Sequence, residues 1–394
     1  MYKIATLNNI SPKGLILFDD NKYEVVDQIG ESQGILVRSY KMHDMDLPDN
    51  LLAIARAGAG VNNIPLDECT KRGVVVFNTP GANANAVKEL VIAGLLLSSR
   101  RIVHAIQWAE SLKDENYSDA ELEALIEKEK SNFAGCEIKG RTLGVIGIGA
   151  IGVIVANAAS ALGMHVIGYD PFVSVRAALG LSRKVELTDS FDEILRKSDY
   201  ITLHVPMMDA TKGLLDKKAF SMVKKGVKVL NFARGPIVDE DAIIDAINSG
   251  IVDRYVTDFP NKKLLNTKRV INIPHLGAST PESEENCAIM AVEEMMDYLE
   301  HGNITNSVNF PDCTLGKCET IARIGVFHKN IPTMIAKITN TLGALNINIS
   351  NMNNRSKGEF SYMLIDLDSE ITAEDLATIE AIDGIISVRI IKCN

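Results

Sequence analysis

The sequence predicts an α/β protein with two doubly wound parallel sheets and a C-terminal βαββαβ module. Short β-branched runs alternate with helical patterns over most of the chain, which is typical of parallel strands buried on both faces. A second series of such runs begins at Thr142, and residues 319–394 show the order strand, helix, strand, strand, helix, strand. The three stretches together indicate three separate cores.

Length and composition agree with this division. The chain has 394 residues, which at roughly 150 residues per domain predicts two to three domains. Hydrophobic residues make up 46% and charged residues 23%, as in ordinary globular proteins. Acidic residues exceed basic ones by 51 to 41, and no basic stripe stands out, so nucleic acid is not an expected partner.

The individual elements follow from local patterns. In the first hundred residues the strand candidates are 34–39, 51–58 and 73–78, and apolar residues at helical spacing predict one long helix from Ala86 to about Glu110. Residues 110–130 are interpreted as a solvated helical face, 282–300 as a helix, and the polar stretch 301–317 as a linker. The strands of the second series are predicted near 143–147, 165–169, 200–205, 227–232, 252–257 and 270–273.

The chain shows no targeting or metal-binding pattern. The segment MYKIATLNNISPKG lacks the apolar run of a secretory signal, so we expect a cytoplasmic protein. Six scattered cysteines without a CxxC pair predict reduced thiols and no metal site. Thr142 to Tyr169 contains no charged residue and could span a bilayer, but its four closely spaced glycines favour a buried strand-turn-helix-strand, and no membrane association is expected.

The sharpest motif is a glycine loop between a predicted strand and a predicted helix. Gly147, Gly149 and Gly152 form GxGxxG, in which the glycines allow a tight turn, close approach of a pyrophosphate, and helix-strand packing. The next strand ends in Asp170, whose carboxylate can accept hydrogen bonds from ribose hydroxyls and would repel a 2′-phosphate. The motif therefore predicts NAD rather than NADP.

Four blocks resemble the D-2-hydroxyacid dehydrogenases: GRTLGVIGIGAIG (140–152), SDYITLHVP (198–206), VKVLNFARGPIVDEDAI (227–243) and INIPHLGAST (271–280). The resemblance covers residues 1 to about 310, and the C-terminal module resembles an ACT domain. It implies Rossmann-like domains: a discontinuous substrate domain (1–97 and 282–312), an NAD domain (98–281) and an ACT-like regulatory domain (318–394). It also implies cofactor contacts from Ile151, His204, Val205, Pro206, Phe232, Ala233 and Asp258.

Oxidation of a 2-hydroxy acid needs a cation for the carboxylate and a base for the hydroxyl proton. Arg234, at the end of an apolar strand, offers a bidentate guanidinium, and His275 follows another strand at the edge where doubly wound sheets bind ligands. The family normally has a Glu that hydrogen-bonds this His, but no carboxylate lies between Asp258 and His275 here. Either another residue orients His275, with Asp258 as a candidate, or the imidazole works without a carboxylate partner. A lysine base at Lys262 or Lys263 is a further alternative.

Substrate and effector contacts are predicted outside the NAD domain. Arg38, Ser39 and Lys41 follow a strand and resemble the family's element for a distal phosphate. The small-residue turn holding Gly58, Ala59, Gly60 and Asn62 can cradle a carboxylate with its backbone N–H groups. By the resemblance, His328, Asn330 and Asn348 match the family's positions for the effector L-serine, although Thr333 stands where the family usually has a Gly after the proline.

The resemblance, together with these residues, implies NAD-dependent oxidation of 3-phospho-D-glycerate to 3-phosphohydroxypyruvate, the first step of L-serine biosynthesis. The alternatives are a hydroxypyruvate or glyoxylate reductase, an erythronate-4-phosphate dehydrogenase, or a non-catalytic sensor of NAD or amino acids on the same fold. We expect a homo-oligomer, a dimer or a tetramer, because the predicted helix around Val87–Gln107 and the C-terminal module both offer pairing surfaces.

Overall fold

The computed structural model describes residues 1–393. It divides into two compact units, one holding Met1–Asn83 and the chain from Pro281 onward, the other Ala84–Thr280. The sequence placed the first boundary at 97/98, but the helix that begins at Ala84 buries Val91 and Leu95 in the core of the second unit. The C-terminal module lies in the first unit, and its separate regulatory role stays a prediction.

The first unit contains a parallel five-stranded sheet. Its order is β2-β1-β3-β4-β5, and two of these strands, β1 and β2, were missed because neither is a continuous apolar run. The strands are β1 (Tyr2–Leu7), β2 (Tyr23–Val26), β3 (Gly34–Val37), β4 (Ala53–Arg56) and β5 (Val75–Asn78). The helices of this part are α1 (Pro12–Leu15), α2 (Leu66–Lys71) and the long α12 (Pro281–His301).

The second unit contains a parallel seven-stranded sheet in the order β12-β11-β10-β9-β6-β7-β8. All six predicted strands are present, and β8 is an additional, largely exposed strand. The strands are β6 (Thr142–Ile146), β7 (His165–Tyr169), β8 (Val185–Thr188), β9 (Tyr200–Leu203), β10 (Val227–Asn231), β11 (Val252–Thr257) and β12 (Val270–Asn272). The strand order reverses between β6 and β9, the point where such sheets bind ligands.

Helices flank this sheet. They are α3 (Ala84–Ser99), α4 (Ile102–Ser111), α5 (Asp119–Glu129), α6 (Ala150–Ala161), α7 (Val175–Gly180), α8 (Phe191–Lys197), α9 (Lys217–Met222), α10 (Glu240–Asn248) and α11 (Lys262–Leu265), with 3-10 turns at Lys130–Phe133 and Gly235–Ile237. No helix among residues 1–393 is both long and apolar enough to cross a membrane.

The single long helix expected from Ala86 to Glu110 is wrong, because the chain breaks between α3 and α4. The carbonyl of Ser99 accepts a hydrogen bond from the N–H of Cys136 at 3.0 Å. Gly135 passes so close that a Cβ there would lie 2.2 Å from the same carbonyl oxygen. This crossing segment takes the carbonyl group that a continuous helix would use.

The C-terminal module has the predicted βαββαβ order and an antiparallel sheet, β14-β15-β13-β16. Its elements are β13 (Ala322–Lys329), α13 (Met334–Ala344), β14 (Ile349–Lys357), β15 (Phe360–Leu367), α14 (Ala373–Glu380) and β16 (Ile385–Ile391). One face of this sheet packs against the helices of the module. On the other face, Phe327, Tyr362 and Leu364 pack in the hydrophobic core around α12. The predicted α/β class with two parallel sheets and this module is confirmed.

Residues 301–317 form no free linker, contrary to expectation. Ile304 and Phe310 are fully buried, and Ser307 forms a β-bridge with Phe77 at the edge of the first sheet. The buried Arg323 of β13 donates to the carbonyls of His301 and Gly316, both at 2.8 Å. The apolar side chains within this polar stretch fix it between the first sheet and the module.

Candidate functional site

The glycine loop has the close packing that a dinucleotide site needs. Gly147 has a φ of +96°, and a Cβ there would lie 2.6 Å from the carbonyl carbon of His204. A Cβ on Gly152 would lie 1.9 Å from the oxygen of Gly147, whereas a Cβ on Gly149 would meet nothing within 4 Å. Gly147 and Gly152 therefore allow the tight packing of the turn. Gly149 leaves the backbone at the start of α6 accessible, and the N–H groups there can bind a pyrophosphate.

Asp170 is attached to this loop. Its Oδ2 accepts a hydrogen bond from the N–H of Ile148 at 2.9 Å, and its Oδ1 accepts one from Phe172 at 2.9 Å. The carboxylate stays partly exposed and retains lone pairs for further donors. Asp170 thus lies where a ribose hydroxyl of a dinucleotide at the loop would need an acceptor.

His204, Val205 and Pro206 follow β9 on the opposite side of the loop. The N–H of His204 donates to the carbonyl of Ile146 at 2.7 Å, and its Nε2 lies 3.0 Å from the Thr202 hydroxyl. Burial lowers the pKa of His204 to about 3, so this imidazole stays neutral at pH 7. Ile151 lies partly exposed in the first turn of α6.

The turn after β10 carries Phe232, Ala233 and Arg234, and the sequence analysis missed the residue that shapes it. Asn231 is fully buried; its Nδ2 donates to the carbonyl of Arg234 at 2.9 Å, and its Oδ1 accepts from the N–H of Ala233 at 3.2 Å. The Arg234 guanidinium is exposed and donates to the Ala233 carbonyl at 2.7 Å. Asn231 could have been identified from the sequence as an Asn at the end of an apolar strand, close to the candidate cation Arg234.

Asp258 and His275 meet in one cluster of the second unit. Asp258 is 1% exposed; its Oδ2 accepts from the N–H of Gly277 at 3.3 Å, and its Oδ1 has no hydrogen-bond partner among residues 1–393. The Phe259 ring lies against the His275 imidazole with 4.9 Å between centroids. Burial raises the pKa of the Asp258 carboxyl, and the nearby charges of His275 and Arg234 oppose that rise.

The contacts of α11 argue against Lys263 as the catalytic base. Lys263 Nζ forms ion pairs with Glu240 at 3.0 Å and with Asp241 at 2.9 Å. These partners raise the pKa of Lys263, which keeps it protonated and unsuited to accept a proton. Lys263 is therefore a poorer candidate base than His275.

The predicted phosphate element lies at the carboxyl end of β3 in the first unit. The Arg38 guanidinium forms an ion pair with Glu284 at 2.7 Å. The N–H groups of Ser39 and Tyr40 both donate to Oδ1 of Asn8, at 3.0 and 2.7 Å. Lys41 is exposed and forms no ion pair within the described chain. The element is thus ordered by Asn8, a residue that the sequence analysis did not single out.

The small-residue turn after β4 lies against the side chain of Arg56, which the sequence analysis did not include among the site residues. Gly58 has a φ of +151°, and a Cβ there would lie 2.4 Å from Nη1 of Arg56, so the guanidinium lies directly against the turn. Arg56 Nε donates to the carbonyl of Arg38 at 3.0 Å. The carbonyl of Ala59 accepts from Asn78 at 2.6 Å, that of Asn62 contacts His43, and Gly60 is partly exposed. The strand-end rule that selected Arg234 would have selected Arg56.

The three effector candidates form hydrogen bonds within the C-terminal module. His328 is 2% exposed; its Nδ1–H donates to the carbonyl of Lys329 at 2.8 Å, and its Nε2 lies 2.9 Å from Oδ1 of Asn354. Asn330 donates to the carbonyl of Gly358 at 3.0 Å, and Asn348 to Asp368. Their effector role stays a prediction.

Comparisons with known proteins show what the chain is similar to. A family model described as D-isomer specific 2-hydroxyacid dehydrogenase, NAD binding domain, matches residues 93–277. A D-3-phosphoglycerate dehydrogenase of Archaeoglobus fulgidus is 37% identical over 301 residues, covering 74% of this chain and 54% of the relative. D-3-phosphoglycerate dehydrogenase 1 of Saccharomyces cerevisiae is 29% identical over 406 residues, covering 93% and 82%.

The fold has solved counterparts as well. The NAD+-bound 3-phosphoglycerate dehydrogenase of Entamoeba histolytica superposes with a TM-score of 0.61 at 25% identity, covering 78% of this chain and 98% of that one. The chain spans about half the length of the Archaeoglobus relative, 54%. The glycine loop, the parallel seven-stranded sheet and the match over residues 93–277 identify this part of the chain as the NAD-binding domain of the D-isomer specific 2-hydroxyacid dehydrogenases.

Proposed function

We propose that the protein oxidises 3-phospho-D-glycerate to 3-phosphohydroxypyruvate with NAD, the first step of L-serine biosynthesis. The observation that carries the proposal is the cluster of Arg234, His275 and Asp258 at the carboxyl edge of the sheet that holds the glycine loop. An exposed guanidinium and an exposed imidazole beside a buried carboxylate are the groups that oxidation of a 2-hydroxy acid requires. The names of the relatives support this substrate.

The reaction divides among the residues of the second unit. Arg234 holds the substrate carboxylate through its guanidinium, which is exposed at the turn that Asn231 shapes. The His275 imidazole accepts the hydroxyl proton as C2 is oxidised. NAD, when bound at Gly147–Gly152, supplies the acceptor for the hydride. The neutral His204 and the aromatic ring of Phe232 line that region without adding charge.

The residues of the first unit suit an anionic substrate. Arg38 and Lys41 supply cations, and the Gly58–Asn62 turn offers backbone N–H groups beside the Arg56 guanidinium. In a protein with a net charge of -10, a phosphorylated acid needs such local positive groups. We assign this element to the substrate phosphate and the turn to its carboxylate.

Asp258 is proposed as the carboxylate that orients His275. No acidic residue stands between positions 259 and 274, and Asp258 is the buried carboxyl whose charge couples to His275. A carboxylate beside an imidazole fixes its orientation and stabilises the imidazolium that forms. One residue would then serve both this role and the predicted nicotinamide contact.

The test is the absorbance of NADH formed from 3-phosphoglycerate, compared with glycerate and D-lactate. We expect turnover on the phosphorylated acid, loss of turnover in Arg234→Ala with NAD binding retained, and normal turnover in Arg196→Ala, an exposed arginine of the same unit paired with Asp192. Equal rates on all three acids would favour a sister reductase. NAD binding without turnover on any 2-hydroxy acid would indicate a sensor.

Assembly, regulation and location complete the proposal. Helices α4 and α5 contain no buried residue, yet Ile102, Ile106 and Ile126 are exposed on them, which suits pairing in a homo-oligomer. L-Serine as an effector and a cytoplasmic location stay predictions of the sequence. Adding L-serine to the same assay tests the first, and the mass of the protein in solution tests the assembly.

A further inference from the structure

Two cysteines of the first unit are paired, contrary to the expectation of six reduced thiols. Cys318 and Cys393 form a disulfide with 5.1 Å between their Cα atoms, inside the range that a disulfide bridges. Cys318 precedes β13, and Cys393 follows β16, whose Ile391 is paired with Arg323 of β13. The bond therefore links the ends of two neighbouring strands.

The other four cysteines form no disulfide within residues 1–393. Burial raises the pKa of Cys69 to about 12 and that of Cys313 to about 11, and it also raises the pKa of Cys287. These three remain protonated thiols inside the core and do not react as thiolates. Cys136 is partly exposed and unpaired, so it serves as an internal control for reactivity.

One of the paired cysteines, Cys318, is 1% exposed and borders a cavity, and Cys393 is partly exposed outside the cavity lining. Cys318 lines a cavity of about 690 Å³ together with Lys22, Lys317 and Lys392. Lys22 is bound to Glu300 at 2.6 Å, whereas Lys317 and Lys392 form no ion pair within residues 1–393. Their ammonium groups attract an anionic reagent to the cavity.

The Cys318–Cys393 disulfide lies at the end of β16, the strand that contacts α12. Arg389 of β16 donates to the carbonyl of Tyr298 at 2.6 Å, and its guanidinium lies 4.3 Å from the Tyr298 ring centroid. Ile391 packs in the same core as Tyr298 and Leu299. Because β16 is an edge strand, a covalent link at its end limits how far it can separate from β13 and from α12.

We propose that Cys318 and Cys393 are a reversible redox site that reacts with small carboxylate-bearing disulfides through the lysine-lined cavity. One thiolate attacks the small disulfide, forms a mixed disulfide and expels one thiolate of the reagent. The second cysteine attacks that mixed disulfide, closes the Cys318–Cys393 bond and expels the other. The cysteine pair loses two electrons, the reagent gains them, and the two thiol protons pass to the released thiols.

The test uses the full chain equilibrated with reduced and oxidised glutathione at several ratios, then alkylated and mapped by mass spectrometry. We expect one intramolecular link between Cys318 and Cys393 that forms and disappears with the ratio, and a Tm several degrees higher in the oxidised form. Cys393→Ser should lose this Tm difference, and Cys136→Ser should keep it. Full alkylation of both cysteines at every ratio, or a link that no ratio removes, would overturn the proposal.

A second measurement tests the route of entry. The variant Lys317→Ala/Lys392→Ala should react several-fold more slowly than the native chain with oxidised glutathione. It should react at the native rate with the uncharged 2-hydroxyethyl disulfide, because the cations then have nothing to attract. Equal slowing with both reagents would contradict entry through the cationic cavity.

Discussion

The backbone N–H of Gly277 donates a hydrogen bond to the buried carboxylate of Asp258 at 3.3 Å, which connects the segment after His275 to the end of β11. Only one oxygen of Asp258 is used in this way, and the other lies buried without a partner in the described chain. An unpaired buried oxygen is costly. The nearby charges of His275 and Arg234 favour the ionised form of this carboxyl.

We expect Asp258→Asn to reduce kcat by about 10- to 100-fold, because an amide of the same shape cannot stabilise an imidazolium. Burial raises the pKa of Asp258, so native activity should fall as the pH drops through that raised value and the carboxylate becomes neutral. The variant has no such group, and its pH profile should lack this decline. Asp253→Asn, on the same strand, is the control. An unchanged profile in Asp258→Asn would exclude the assigned role.

The glycine loop gives a pair of substitutions with opposite expected effects. In Gly152→Ala the new Cβ would lie 1.9 Å from the oxygen of Gly147, so the fold itself should be destabilised. In Gly149→Ala the Cβ has open space, and the φ of -87° suits alanine, so the Tm should stay close to native. Gly149→Ala should nevertheless weaken NAD binding in calorimetric titration, since the methyl group occupies the pyrophosphate's place. Native affinity in this variant would contradict the assigned site.

Periodicity and strand-end rules predicted the parallel sheets, the glycine loop, Arg234 and His275 from sequence alone. The break between α3 and α4 was not predictable, because it depends on Cys136, distant in the chain, binding the Ser99 carbonyl. Asn8 and Asn231 were missed for a similar reason: each orders a functional turn through hydrogen bonds, and a single Asn in a sequence carries no pattern. The cysteine pair required knowledge that β13 and β16 are neighbours.

Glu294 of α12 should make stability depend on pH. Its side chain is buried; Oε1 accepts from Asn306 at 2.7 Å, Oε2 has no partner in the described residues, and burial raises its pKa to about 8. The folded state therefore keeps the proton that the unfolded state loses near pH 4.5. This contribution to stability is fully present below pH 4.5 and is lost progressively as the pH rises towards 8.

Glu294→Gln removes this titration. Relative to the native chain, the variant should gain about 3 kcal/mol in free energy of unfolding between pH 5 and pH 8, as measured by urea titration at each pH. Glu293→Gln, an exposed neighbour on the same helix, should show no comparable gain. A constant difference between Glu294→Gln and the native chain at all pH values would refute the argument.

Thr333 precedes α13 with a φ of +71°, a left-handed conformation that β-branched residues rarely adopt. Glycine adopts it without a clash between Cβ and the backbone, so Thr333→Gly should stabilise the protein by about 1 kcal/mol. Thr341→Gly, inside the same helix, should instead destabilise it by a similar amount, because glycine disfavours helix interiors. Urea unfolding of both variants measures the contrast. A loss of stability in Thr333→Gly equal to that in Thr341→Gly would show that the threonine side chain stabilises this turn by more than its backbone conformation costs.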